Sequence, residues 1–156
     1  MKRIRIVSAL FALAVLAALA IVTTTPKHGV RAVYASSGCT DATLTGNYVF
    51  TLSGFTTRNA PPEGQELPIT AVGVFAFDGA GNISARYTVN FNGKAPTGQT
   101  SSGSYAVNSD CSASFSFTRG DDAGYAANME IIGGGTEMFG IPTQVGDTQT
   151  FDAKKQ

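Results

Sequence analysis

Beyond residue 35 the chain has no sustained apolar repeat of helical period. Apolar and polar side chains instead alternate in short runs, separated by clusters of Gly, Asn, Asp and Pro. This spacing predicts strands near 44–53, 69–77, 83–92, 100–107, 112–118, 124–132, 135–142 and 147–153. Links such as Asp78-Gly79-Ala80-Gly81-Asn82 and Arg119-Gly120-Asp121-Asp122 carry turn chemistry, because Gly, Asn and Asp tolerate positive φ. Gly140 and Pro142 weaken the run from 135 as a strand.

Eight consecutive strands with mostly short links predict an all-β chain, a single antiparallel up-and-down β-barrel of about eight strands. Closure removes the exposed edges that an open sheet must protect; a sandwich is the alternative. The longest link, 54–68, is polar and contains proline, and reads as a loop at one barrel mouth. Ile83, Ala85, Tyr87, Val89 and Phe91 share one face of their strand, opposite Ser84, Arg86, Thr88 and Asn90. A hairpin closed at 78–82 pairs Phe77 with Ile83, Phe75 with Ala85 and Gly73 with Tyr87, so large side chains meet small ones. Val72, Val74 and Ala76 then face outward, either as ordinary apolar surface or as a contact between subunits. Tyr48, Phe50, Leu52, Tyr105, Val107, Ala113, Phe115, Phe117, Tyr125, Ala127, Met129 and Ile131 continue the inner face. A barrel of this size is either filled by such side chains or holds one small ligand. The second case would suit an apolar or aromatic molecule held among Phe75, Phe77, Tyr87, Phe115 and Phe117.

The first 35 residues stand apart. A basic start, Met1-Lys2-Arg3-Ile4-Arg5, precedes an uncharged apolar run of 17 residues from Ile6 to Val22. Ala35, with Val33 at the third position back, suits cleavage before Ser36. The expected division is a signal peptide over 1–35 and one domain over 36–156, with a retained N-terminal anchor as the alternative. The expected destination is the periplasm or the exterior, with no stable membrane insertion after cleavage. The leader holds five of the eleven basic residues and none of the eleven acidic ones, so the remainder has a net charge of −5. Such a chain lacks the electrostatic footprint of a nucleic-acid binder. The one histidine, His28, falls in the leader. Its removal would rule out Ser-His-Asp and Cys-His nucleophiles and histidine-ligated metals, and neither a metal nor a cofactor is expected. Two cysteines, Cys39 and Cys111, read in an oxidising compartment as one disulfide, with a reactive thiol as the alternative. Closing a loop of about 70 residues would be worth roughly 4–5 kcal/mol.

Three places offer candidate chemistry. Asp78 to Asn82 presents one carboxylate and one amide, too few for a calcium loop; it reads as a turn. Arg119-Gly120-Asp121 spells an adhesion tripeptide at a hairpin tip, where a turn needs the same residues. Among the strand carboxylates, Glu130 points away from the apolar face, as does Arg86. Glu137 shares parity with Phe139 and Ile141. Facing inward, it would have a raised pKa and be the one candidate general acid or base.

Cys39-x4-Leu44-x-Gly46-x-Tyr48, Gly73-x3-Phe77-Asp78-Gly79-x-Gly81-Asn82 and Gly103-x-Tyr105-x-Val107-Asn108-x-Asp110-Cys111 resemble the recurring signature of small exported bacterial proteins of uncharacterised function. Those proteins are similar to the allene oxide cyclase barrel-like group, which includes the dirigent proteins. The resemblance implies an eight-stranded antiparallel barrel that holds a reactive apolar substrate, often as a trimer. None of the group's functional positions matches a residue here, so no catalytic role carries over. The expectation is an exported, disulfide-stabilised barrel, non-catalytic, binding a small apolar ligand. The alternatives are a cofactor-free cyclase or isomerase and a structural or adhesive envelope protein.

Overall fold

The structure, a computed structural model, describes residues 38–57, 64–94 and 97–156. The expected leader, its cleavage after Ala35, His28 and residues 58–63 of the proline-containing link lie outside these residues. After a single 3₁₀ turn at Asp41–Thr43 come eight strands: β1 (Thr45–Thr56), β2 (Leu67–Asp78), β3 (Asn82–Phe91), β4 (Thr97–Val107), β5 (Ser112–Gly120), β6 (Ala126–Ile132), β7 (Glu137–Pro142) and β8 (Asp147–Lys155). Each pairs antiparallel with the next, and β8 returns to β1, so the sheet closes as an up-and-down barrel. The expected strands all form. β1 and β2 run past their expected ends, and the long link shrinks to the residues between Thr56 and Leu67.

Side-chain parity positions the core. Phe77 pairs with Ile83, Phe75 with Ala85 and Gly73 with Tyr87, the register read from the hairpin. Gly73 has no Cβ because Tyr87 occupies that space: an added methyl would meet the backbone and Cβ of Tyr87. Tyr48, Phe50, Phe75, Phe77, Tyr105, Phe115, Phe117 and Phe151 are all buried. Phe75 lies at their centre, stacked on Phe50 with ring centroids 4.0 Å apart, tilted to Phe115 at 5.6 Å and edge-on to Phe151 at 5.8 Å. Burying one such ring is worth roughly 1.5–3 kcal/mol, and well-placed ring pairs add about 0.5–1.5. Among the described residues the aromatic interior is a filled core.

Glu137 needs a correction. It does share parity with Phe139 and Ile141, but that face points out of the barrel; Phe139 and Ile141 are 46% and 56% exposed. The inward residues of β7 are Met138, Gly140 and Pro142. Gly140 looks like a strand breaker in sequence, yet it is there because the Phe151 ring fills the space of its missing side chain. Apolar content therefore pointed to the wrong face of this one strand.

The two barrel ends are built differently. At one end Gly38–Leu44 crosses the opening as a strap, tied by the Cys39–Cys111 disulfide, which excludes the free-thiol alternative. Leu44 is fully buried beneath it. The Tyr105 hydroxyl donates to the carbonyls of Asp41 and Leu44 at 2.8 and 3.0 Å, the Val107 amide donates to Asp41 Oδ1 at 2.8 Å, and the Tyr48 hydroxyl donates to the Gly135 carbonyl at 2.6 Å. The turn 78–82 and the loop 108–111 lie at this end. The other end, where β1, β3, β5 and β7 finish, has no such cover among the described residues.

Candidate functional site at the open mouth of the barrel

At the open end the inward positions change from aromatic to aliphatic and polar. Phe50, Phe75 and Phe151 form the floor of a recess, and Leu52, Ile69, Ala71 and Val89 form its half-buried rim. Tyr87, Phe117, Tyr125, Gln149 and Asp122 complete the lining, and the cavity holds about 40 Å³. That is close to the ~30 Å³ one water occupies in the liquid, and far below the ~300–1,000 Å³ of a pocket enclosing a drug-sized ligand. The recess admits one small group, and anything larger must lie across the rim.

The polar side of the mouth is built by the β5–β6 turn. Gly120 and Gly124 both take positive φ, near +94° and +92°, which lets the chain reverse over Asp121 and Asp122. The Tyr125 amide donates to the Asp122 carbonyl at 2.9 Å, and the Asp122 amide donates to Ser101 Oγ at 3.0 Å. Ser101 is an inward, buried position of β4. Held this way, the Asp122 carboxylate leans over the recess, and its Oδ2 accepts a 2.6 Å hydrogen bond from the Tyr87 hydroxyl. The Ser101 hydroxyl lies 3.3 Å from the same phenol. Burial first, and the Asp122 hydrogen bond second, push the Tyr87 phenol well above its ordinary pKa. It therefore keeps its proton and acts as a donor. Across the mouth, Gln149 is buried and donates from Nε2 to the Phe55 carbonyl at 3.4 Å, while Thr56 Oγ1 donates to Asp147 Oδ1 at 2.5 Å.

Of the aromatic candidates, Phe75, Tyr87 and Phe117 line the recess, whereas Phe77 and Phe115 belong to the packed interior. Glu137 lies outside the barrel, its Oε1 3.0 Å from Lys154 Nζ. This half-buried carboxylate on the outer face, paired with an exposed lysine, is no acid held in an apolar cavity, so the condition for a catalytic role is unmet. The Asp78 carboxylate is used up by its own turn: Oδ1 accepts the Ala80 and Asn82 amides at 2.8 and 2.9 Å, and Oδ2 accepts Asn82 Nδ2 at 2.5 Å. In the adhesion tripeptide, Asp121 Oδ2 accepts the Thr100 amide at 2.8 Å, a structural use of that carboxylate. Sequence reasoning missed Asp122, Gln149 and Ser101. Gln149 shares parity with Phe151 and Ala153, and Ser101 with Tyr105, so a polar residue on an apolar face was the available signal. Asp122 had none, because only the turn geometry aims it inward.

The disulfide points to a compartment other than the cytoplasm. Among the described residues no helix is long and apolar enough to cross a membrane. No family model matches the chain, and no curated protein or solved structure matches it.

Proposed function

We propose that this chain is an exported, non-catalytic binding module that takes part of a small apolar molecule into the open mouth of its barrel. The observation that carries this reading is the unequal closure of the two ends by the described residues. One end is strapped, hydrogen-bonded and filled, while the other leaves Leu52, Ile69, Ala71 and Val89 half-exposed around a recess with a few fixed polar groups. Concave, mostly apolar and sparsely polar is the usual make-up of a small-molecule site. The Tyr87 phenol, its pKa raised by burial and then by the Asp122 hydrogen bond, keeps its proton and serves this site as a fixed donor. Export by the leader at 1–35 and kinship with the allene oxide cyclase barrel-like group belong to the same proposal. A homo-oligomer of the kind that group forms would pack through the outward strip Val49, Val72 and Val74, in which Val49 faces Val74 across β1 and β2.

Amide chemical shifts of residues 36–156 during titration with benzyl alcohol test this reading. Saturable shifts should cluster at Leu52, Ile69, Ala71, Val89 and Gln149, and Ala71→Trp, which fills the recess, should abolish them. Shifts confined to the outer face, or no shifts at all, would overturn it.

A further inference from the structure

The chemistry around the recess is selective. Its rings include those of Phe50, Tyr87, Phe117 and Tyr125, and Phe117 and Tyr125 lie nearly parallel, 25° apart, with centroids at 6.3 Å. Aromatic faces carry partial negative charge and attract cations. Among the described residues the one charged side chain in the lining is Asp122. Oδ2 of that carboxylate takes the Tyr87 hydroxyl, while no described group donates to Oδ1. Ser101 and the β5–β6 turn hold it in place, so a ligand need not order it on arrival. No Lys or Arg of the described residues lines the recess to oppose a positive charge or recruit an anion.

Resting on the mouth-binding reading above, we infer that the ligand is an organic amine, a compact ammonium head on an apolar body. The head enters the recess against Asp122 and the surrounding rings, and the body lies over Leu52, Ile69, Ala71 and Val89. The size of the cavity narrows the class further. At about 40 Å³ it suits a primary or singly methylated ammonium and has no room for a trimethylated one. A carboxylate and several aromatic rings lining one small volume favour a cation over a neutral hydroxyl, because both attractions strengthen as water is displaced.

Benzylamine and benzyl alcohol differ in the head group and share the body, so a paired titration separates the two claims. Benzylamine is expected to bind wild type at least about tenfold more tightly than benzyl alcohol near neutral pH, and a tenfold rise in sodium chloride should narrow that gap. Asp122→Asn keeps an acceptor for Tyr87 and removes the charge. It should weaken benzylamine by about tenfold and leave benzyl alcohol within twofold, with a melting curve like wild type confirming that the variant folds. Equal affinities for the two probes, with no salt effect on their ratio, would overturn the amine inference and leave the mouth reading standing. Failure of both probes would overturn the two together. The salt series uses only wild-type protein, so the test survives even if Asp122→Asn does not fold.

Discussion

The strapped end and the open mouth are made from the same eight strands, yet their polar groups serve opposite purposes. At the strapped end Tyr48, Tyr105 and the Asp41 carboxylate all face backbone. Tyr105 reaches the Asp41 and Leu44 carbonyls, Tyr48 reaches the Gly135 carbonyl, and Asp41 accepts the Val107 amide. Groups satisfied by backbone hold a chain in place and have nothing left for a ligand. At the mouth the partners are mostly side chains, Tyr87 with Asp122 and Thr56 with Asp147, and one oxygen of Asp122 takes no donor from the described residues. In a barrel with a filled middle, groups free to meet a ligand gather at the end that the described chain leaves uncovered.

Three experiments bear on this contrast. The largest effect should come from reducing Cys39–Cys111 or replacing both cysteines by serine. A loss of roughly 4–5 kcal/mol is expected, seen as a melting temperature lower by about 15 °C. Hydrogen exchange should speed up at Gly38 to Leu44 and leave the Asp122 amide nearly unchanged. Equal acceleration at both ends would show that the strap is not a local closure.

A smaller effect should separate two tyrosines. Tyr105→Phe leaves the carbonyls of Asp41 and Leu44 without their donor under the strap, and should cost roughly 1–3 kcal/mol in urea unfolding. Tyr87→Phe frees a half-buried carboxylate that can turn to water, and should cost about 1 kcal/mol or less. The reverse order would mean that the mouth is the stability-bearing end.

The smallest effect concerns acid, and it too belongs to the strapped end. Hydrogen bonds from the Asn82 side chain and then the Asn82 and Ala80 amides hold the Asp78 carboxyl below its ordinary range, and those from the Ser112 hydroxyl and amide do the same for Asp110. A depressed folded-state pKa contributes stability that is fully present above the unfolded value, about 3.9, and is lost as pH falls through the folded value. Lowering the pH below about 4 should therefore loosen the turns at 78–82 and 108–112. Amide exchange at Ala80, Asn82 and Ser112 reports this directly. Unchanged protection there down to full titration of both groups would count against it.

Most of this fold was legible because strand parity is a strict two-residue rule. Ile83 to Phe91 declare their faces without help, and the hairpin turn then sets Phe75, Phe77 and Gly73 against them. Parity alone cannot say which face is inside when both carry apolar residues. β7 shows this, since Phe139 and Ile141 point outward and the inward Gly140 makes way for Phe151 from the next strand. The mouth was harder to read for a different reason. Asp122 gets its direction from two positive-φ glycines and a hydrogen bond to a serine about twenty residues away in sequence, a tertiary relation that local pattern does not encode.

Where the chain enters and leaves the barrel has a practical side. The Gly38 amide donates to the Ser109 carbonyl and the Gln156 amide to the Asn47 carbonyl, so both points lie on the strapped end. A linker, tag or surface coupling joined at either position would display the recess away from its support. Immobilised on a sensor chip or a bead in that orientation, the protein would present its mouth to the surrounding solution.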